Sequence, residues 1–166
     1  MVSEAFRGEF YQKVDAKARV SIPAAFRRIL DAEDPTSDEA RPRVYMVYGG
    51  KNRNFVECYS KAGADLLAAR IDAMELGSPD RDRAERELIS RSVMVEIEPD
   101  GRIVLPQKVR AKMGFGPDET QGEAAFAGFT NRFKLYRRDV YDAENADEDD
   151  DGIDPLALVG RNAKAG

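Results

Sequence analysis

YQKVDAKARVSIPAAFRRIL (residues 11–30) and VEIEPDGRIVLPQKVRAKMG (residues 95–114) are two copies of one sequence pattern. In each copy an acid precedes an arginine by four residues, and a short apolar stretch then ends in proline. Arg19 aligns with Arg102 at an offset of 83 residues. The apolar residues after each proline have helical spacing, and proline is favoured in the first turn of a helix. The pattern therefore predicts a β-strand that leads directly into a short helix, once in each half of the chain.

A second pair of matching stretches extends this repeat. Residues 54–59, NFVECY, align with residues 131–136, NRFKLY, at an offset of 77. The offset is smaller because the first copy carries a longer acidic insertion at residues 31–42. We therefore predict an α+β fold built from a tandem duplication of a β-β-α-β-β unit of about 55 residues, in which one unit alone would not bury its apolar face.

The duplication predicts four segments along the chain. A first unit covers residues 4–60, a helical connector covers 61–91, and a second unit covers 92–142. The connector carries apolar residues at helical spacing, namely Leu66, Leu67, Ile71 and Met74. Residues 143–166 form a tail with seven acids and two bases. Because a block of like charge this dense repels itself, we expect the tail to be disordered and solvated.

The tail also accounts for the acidic character of the whole chain. The formal net charge of the 166 residues is -5, but residues 1–142 contain 24 bases and 24 acids. Residues 1–30 contain six bases and three acids, a local excess of three positive charges. A local basic face can bind phosphate even when the complete chain is acidic, so the composition does not exclude a nucleic-acid partner.

Composition excludes several other classes of protein. The chain contains no histidine, which removes serine–histidine and cysteine–histidine catalysis and most zinc sites. Cys58 is the single cysteine, so a disulfide framework is excluded and we expect a reducing, cytoplasmic location. We see neither a secretory signal nor an apolar run long enough for a membrane span. The acids Asp149–Asp151 lack the spacing of a calcium loop. We therefore expect no catalytic site, no metal and no cofactor.

The acid-x-x-x-arginine motif has a local physical meaning. With three residues between them, Asp15 and Arg19 can approach each other across a β-turn, and Glu98 and Arg102 can do the same. The carboxylate can accept hydrogen bonds from the N–H groups of the turn and can also orient the guanidinium group. An arginine held in this way loses less entropy when it contacts a phosphate or a base edge.

Three stretches resemble the MraZ family of bacterial transcriptional regulators. They are FRGEFYQKVDAKARVSIPAAFR (6–27), GRIVLPQKVRAKMGF (101–115) and NRFKLYRR (131–138), and the resemblance covers about residues 4–142 in order. It implies two fused halves of an AbrB-like swapped-hairpin β-barrel that assembles into ring-shaped homo-oligomers. It also implies binding to short direct repeats in double-stranded promoter DNA, upstream of the protein's own division and cell-wall operon, usually as a repressor.

The resemblance places the DNA contact on the acid-x-x-x-arginine motif. The candidate DNA contacts are Arg19, Lys17, Lys13, Arg7 and Arg102, and the candidate positioning acids are Asp15 and Glu98. Two departures from the family pattern stand out. Ala18 replaces a common glycine, and Glu98 replaces an aspartate and is one methylene longer. The second motif is therefore predicted to be a drifted copy of the first.

Other interpretations of the same residues exist. Each motif arginine could be only a structural salt-bridge partner at a turn, and the lysines could belong to a solvated face. The whole chain could be an AbrB-like antitoxin that binds a toxin through its tail, although such antitoxins usually carry one unit. With no nucleophile motif and no phosphate-binding loop, an enzyme is the weakest alternative. We expect a cytoplasmic, nucleoid-associated regulator with no membrane or small-molecule partner.

Overall fold

The computed structural model of the chain describes residues 4–36, 40–146 and 152–161. The fold is α+β, with antiparallel strands and short helices. Its first five elements are β1 (Glu9–Val14), β2 (Arg19–Ser21), α1 (Ala24–Ala32), β3 (Arg43–Val47) and β4 (Val56–Tyr59). The helix α1 begins directly after Pro23, as the sequence pattern predicted. The first copy of the repeat therefore has the order β-β-α-β-β.

A helical stretch follows the first copy. It comprises α2 (Lys61–Asp72), α3 (Pro79–Ala84) and a π-helical segment, Glu85–Ser90. Within the predicted apolar stripe only Ile71 is buried, whereas Leu66 is 60% exposed. This stretch therefore leaves apolar surface uncovered in the single chain. Of the helices within the described ranges, none combines the length and the hydropathy that a bilayer span requires.

The second copy repeats the element order of the first. Its elements are β5 (Ser92–Glu96), β6 (Arg102–Val104), α4 (Gln107–Met113), β7 (Gly122–Gly128) and β8 (Phe133–Arg137). Two helices follow, α5 (Arg138–Ala146) and α6 (Pro155–Val159). The helix α5 extends past residue 142, where the sequence predicted the tail to begin, and α6 lies within that predicted tail. The acidic residues 147–151 lie outside the described residues.

The strands of the two copies pair with each other. The six-stranded sheet has the order β1-β7-β8-β4-β3-β5, so β1 of the first copy pairs with β7 of the second, and β5 pairs with β3. A separate two-stranded ribbon consists of β2 and β6. Neither sheet closes on itself within the described residues, so the closed barrel that the family resemblance implies is not confirmed.

A local twofold relation connects the two copies. In the ribbon, Val20 lies opposite Ile103, which is its own equivalent at the offset of 83 residues. In the large sheet, Glu57 lies opposite Lys134, its own equivalent at the offset of 77. Equivalent residues can oppose each other in antiparallel pairs only where a twofold axis passes between them. The axis therefore runs through the middle of the ribbon and the middle of the large sheet.

The main core lies between the large sheet, the ribbon and the helices α1 and α4. Phe6, Phe26 and Phe133 contact one another there, with ring centroids 4.9–5.4 Å apart. Val20, Ile103 and Cys58 are also buried in this core, and burial raises the pKa of the Cys58 thiol. These contacts fix the ribbon on one side of the sheet, with its other face toward solvent.

A buried carboxylate lies on the opposite face of the sheet from the ribbon. Glu57 accepts hydrogen bonds from the hydroxyl of Tyr59 at 2.8 Å, from Arg53 at 3.1 Å and from Arg132 at 3.0 Å. Burial alone would raise the pKa of Glu57, but these hydrogen bonds and the two guanidinium charges outweigh it, so the pKa lies below its ordinary value. Glu57 is therefore ionised and fully paired at neutral pH.

A second buried acid joins the end of α1 to the start of β3. The side chain of Asp34 is fully buried and accepts hydrogen bonds from Nη2 of Arg43 at 2.8 Å and from Nε at 3.0 Å. It also accepts hydrogen bonds from the N–H and hydroxyl groups of Thr36. The hydrogen bonds from Arg43 hold the pKa of Asp34 far below its ordinary value. The acidic loop of the first copy is therefore anchored at its start.

Removing this anchor should destabilise the fold. We expect Asp34→Ala to lower the free energy of unfolding by about 3 kcal/mol, because the substitution leaves Arg43 with an uncompensated charge in a largely buried position. Urea unfolding at fixed protein concentration measures the change.

The exposed ion pair of Lys61 and Asp65 supplies the matched control. Asp65→Ala should cost less than about 1 kcal/mol, since exposed pairs contribute little. A carboxylate with a lowered pKa stabilises the fold above its unfolded pKa and loses that effect as the pH falls. The difference between the wild type and Asp34→Ala should therefore shrink below about pH 4. Equal effects of the two substitutions would contradict this assignment.

Candidate nucleic-acid interface

The ribbon presents four side chains on its outer face. Side chains alternate along a strand, and Val20 and Ile103 point into the core. Their neighbours on both strands therefore point outward, and these are Arg19, Ser21, Arg102 and Val104. Arg19 lies opposite Val104, and Ser21 lies opposite Arg102. The structure thus brings the two motif arginines together on one exposed face.

Asp15 holds Arg19 through the turn between β1 and β2. Its Oδ1 accepts hydrogen bonds from the backbone N–H groups of Lys17 at 2.9 Å and of Arg19 at 2.8 Å. Its Oδ2 accepts the side-chain Nε of Arg19 at 2.9 Å. The terminal Nη groups of Arg19 make no hydrogen bond within the described residues, and they are free to donate to a ligand.

The second turn uses a different acid from the one predicted. Asp100 accepts the backbone N–H of Arg102 at 3.1 Å and its Nε at 2.7 Å. Within the described residues, Glu98 makes no side-chain hydrogen bond to Arg102, so its expected positioning role is taken by Asp100. The longer side chain of glutamate fits a tight turn less well, whereas aspartate two residues before the arginine can accept the N–H of an Asx-turn. The Asp100-Gly101 turn signal in the sequence could have indicated this.

The two turns are linked across the ribbon by charge. Nη1 of Arg102 lies 3.6 Å from Oδ2 of Asp15, so one carboxylate lies near both arginines. The backbone N–H and the side chain of Arg19 lower the pKa of Asp15, and hydrogen bonds from Arg102 lower the pKa of Asp100. Both acids are therefore ionised at neutral pH. The two arginines and two acids together carry no net charge, which makes this cluster better suited to directional hydrogen bonding than to general attraction of anions.

Both turns require a left-handed backbone at equivalent positions. Ala18 has a φ of 60° and Gly101 has a φ of 84°. The carbonyl of Ala18 accepts the N–H of Leu105 at 2.8 Å, and the carbonyl of Gly101 accepts the N–H of Ile22 at 3.0 Å. Each turn is therefore tied to the strand end of the other copy. The departure from glycine at Ala18 places an alanine where positive φ is costly.

Arg27 supports the second turn, a role that the sequence did not suggest. A Cβ atom built on Gly101 would lie 1.9 Å from Nη1 of Arg27, so the guanidinium group packs directly over this glycine. Arg27 is half-buried, and its equivalent in the second copy, Arg110, donates to the carbonyl of Leu105. The signal for this role was the glycine itself, which leaves space for a side chain from α1.

The other predicted contacts lie at different distances from the ribbon face. Lys17 is exposed on the first turn, beside Arg19. Lys13 is exposed on β1, and by strand alternation it shares the outer face of the sheet with Tyr11, where Arg138 covers that ring. Arg7 is exposed before the start of β1, so the length of that strand, about 17 Å, separates it from the turn that carries Lys17. A single chain therefore brings together Lys17, Arg19 and Arg102, but not Arg7.

Among the described residues, no group of three or more histidine, cysteine, aspartate or glutamate side chains could hold a metal ion. The consecutive acids Asp149–Asp151, for which the sequence predicted no metal, lie outside the described residues. The ribbon face with its two turns presents guanidinium and ammonium donors, the carboxylates of Asp15 and Asp100, one hydroxyl and one apolar side chain.

Comparison with curated protein sequences identifies the family. A protein of Cereibacter sphaeroides strain ATCC 17025, named transcriptional regulator MraZ, is 48% identical over 164 residues, which cover 95% of this chain and 97% of the relative. The chain belongs to the MraZ family of transcriptional regulators. MraZ proteins of Ruegeria pomeroyi and Rhodospirillum rubrum are 38% and 31% identical, and the alignments cover 91% and 99% of this chain. No protein-family model matches the chain.

Substitutions at Ala18 test how strongly the first turn depends on a residue with positive φ. We expect Ala18→Gly to change the free energy of unfolding by less than about 1 kcal/mol. Relief of positive φ would offset the loss of a buried methyl group and the greater freedom of the unfolded chain. Ala18→Val should cost more than about 2 kcal/mol, because a β-branched residue is a strong outlier at positive φ in a buried site.

Chemical denaturation of the three proteins measures both changes. Val104→Ala is the matched control, because Val104 is 44% exposed on the same ribbon and has ordinary strand geometry. It should cost less than about 1 kcal/mol. If Ala18→Val were as stable as the wild type, the turn would not depend on its left-handed residue.

Proposed function

We propose that this chain is a sequence-specific DNA-binding regulator that represses its own division and cell-wall operon by binding short direct repeats upstream of it. The observation that carries the proposal is the pair of oriented arginines on the exposed face of the β2–β6 ribbon. The major groove of B-DNA admits a two-stranded ribbon, and arginine is the commonest reader of guanine O6 and N7 in that groove. The family name of the relatives supports a regulator of transcription.

The ribbon supplies base contacts rather than simple charge attraction. Asp15 and Asp100 neutralise the two arginines while fixing their planes, which favours bidentate hydrogen bonds over nonspecific phosphate binding. The second motif takes part as well, since Arg102 is oriented by Asp100 much as Arg19 is oriented by Asp15. Both copies therefore contribute one reading arginine.

Phosphate contacts in the proposal come from the lysines of the first copy. Lys17 lies beside the reading arginine and extends from an exposed turn, so it can contact the backbone that borders the groove. Lys13 lies on β1 and Arg7 lies two residues before its start. A duplex that follows this strand would meet Arg7 about seven base pairs beyond Val14, at about 3.4 Å per residue and per base pair. These contacts would position the protein on the duplex without reading its sequence.

A homo-oligomeric ring would combine several such weak readers. One chain offers only a few cationic contacts, and a ring that meets several repeats at once gains affinity through effective concentration. The exposed apolar residues on and after α2 support association between copies, since Leu66 is 60% exposed and Leu76 is 82% exposed. Such a regulator would act in the cytoplasm on nucleoid DNA, without a cofactor or a small-molecule substrate.

Arg19 and Lys17 should have separable effects on binding. We expect Arg19→Ala to remove about 1–3 kcal/mol of discrimination between the correct and a wrong base at each direct repeat, called a box below, and to leave the oligomer assembled. Lys17→Ala should weaken binding to specific and random duplexes equally and should reduce the salt slope of log K by about one for each bound chain. Gel shifts over a salt series, with DNA from upstream of the chain's own gene, measure both effects.

Lys51 provides the charge-matched control for these two substitutions. It is an exposed lysine between β3 and β4, outside the ribbon and outside α2, so Lys51→Ala removes one positive charge without removing a proposed contact. It should leave both specificity and salt slope close to wild type. If Arg19→Ala instead dissolves the oligomer, the arginine has a structural role and the proposed readout is wrong.

The number of boxes should determine the affinity. We expect DNA with three direct repeats to bind about 100-fold more tightly than DNA with one repeat, and both affinities should fall steeply between low and physiological salt. Titration of matched duplexes that differ only in intact repeats measures this ratio. Equal affinity for one and three repeats would contradict binding by a ring of weak readers.

A further inference from the structure

The two halves of the ribbon face are related by the local twofold axis but are chemically different. The equivalent arginines Arg19 and Arg102 are identical, and they would give a symmetric face by themselves. The other pair of equivalent positions on this face is Ser21 and Val104. One half of the face therefore carries a hydroxyl group where the other half carries an exposed isopropyl group.

The strand register assigns each of these side chains to one arginine. Val104 lies directly opposite Arg19, and Ser21 lies directly opposite Arg102. Side chains opposite each other in an antiparallel pair have Cβ atoms about 4.5–5.5 Å apart. A base pair next to the one that Arg19 contacts would therefore meet an apolar surface, and a base pair next to the one that Arg102 contacts would meet a hydroxyl.

The charges around the ribbon follow the same division. Lys17 on the first turn is equivalent to Asp100 on the second. Both side chains are exposed. The turn of the Arg19 half therefore carries a positive charge where the turn of the Arg102 half carries a negative one. Phosphates would be attracted at the first turn and repelled at the second.

We propose that the ribbon reads each DNA box in one fixed direction. The unlike pairs Ser21/Val104 and Lys17/Asp100 distinguish its two halves. This inference rests on the proposed DNA-binding function and adds the polarity of the box. In the Arg19 half, Arg19 contacts a guanine whose neighbour is a thymine, since Val104 packs against the thymine C5-methyl group. In the Arg102 half, Arg102 contacts a guanine, and Ser21 forms a hydrogen bond with the neighbouring base pair. Backbone phosphates are held mainly on the Arg19 side.

A fixed direction explains why direct repeats suit this protein. A face with exact twofold symmetry would bind a palindromic box equally well in both directions. A face with two unlike halves binds a directional box in one direction only. Successive subunits related by rotation around a ring would then meet successive boxes in the same direction, as direct repeats require.

Site-directed cleavage of DNA tests the direction of binding. Ala16 and Pro99 are equivalent exposed residues on the two turns, so Ala16→Cys and Pro99→Cys place a thiol at matched positions. Cys58 is buried and would not react with an iron-chelate reagent that generates hydroxyl radicals. Each labelled protein is bound to the DNA upstream of the chain's own gene, and the cleaved positions are mapped.

The two probes should cleave opposite sides of every box. We expect the Ala16→Cys probe to cut one side about tenfold more strongly than the other, and the Pro99→Cys probe to show the reverse preference. Equal cleavage of both sides by both probes, on DNA that is protected by bound protein, would overturn the fixed direction and leave the DNA-binding function intact. Absence of protected DNA would overturn the function itself and the inference with it.

Removal of single methyl groups tests the assignment of Val104. Each thymine in the protected region is replaced in turn by uracil, which keeps base pairing but lacks the C5-methyl group. We expect one substitution in each box to weaken wild-type binding about fourfold, the value of one buried methyl group. The same substitution should not affect Val104→Ser, which gives both halves of the face the same side chain. If Val104→Ser and the wild type respond equally to every uracil, Val104 does not read the methyl group.

Discussion

Val20 packs opposite Ile103, its own equivalent in the second copy, and this one pairing organises the molecule. It brings the two copies together about a local twofold axis at the centre of the ribbon. The same axis explains why β1 pairs with β7 while β5 pairs with β3, since each pairing is the twofold equivalent of the other. Burial of these two aliphatic side chains also turns the flanking residues of both strands outward. The partial exposure of the two arginines is therefore a consequence of how the core is packed.

The same contacts orient the two ribbon arginines and neutralise their charge. Asp15 and Asp100 each accept an Nε–H group from one arginine, and both stay ionised because these hydrogen bonds lower their pKa values. A pair of free arginines would attract any phosphate surface. Held arginines instead present hydrogen-bond donors in fixed planes, and affinity must then come from lysines nearby and from multiple subunits.

Local features were the predictable part of this protein. The strand–proline–helix order and the Asp15–Arg19 contact both depend on residues within a few positions of each other. The strand pairing between copies could not be predicted locally, because strand partners 45 to 118 residues apart leave no local signal. Asp100 rather than Glu98 orients Arg102, and that choice depends on side-chain length within one turn. The buried ion pair of Asp34 was not predicted, because a single aspartate in an acidic loop gives no indication that it will be buried and paired with Arg43.

The opposition of Glu57 and Lys134 shows what fusion of two units permits. In a homodimer of identical units, a residue beside the twofold axis must face its own copy, so a glutamate there would face a glutamate. Joining the units in one chain removes this restriction, and the two positions can diverge independently. Here one position is a buried acid, paired with Arg53 and Arg132, and the other is a lysine whose ammonium group lies 4.4 Å from the centre of the Phe55 ring. A single chain thus places opposite charges at the centre of the sheet, where an exactly symmetric dimer would have to place like charges.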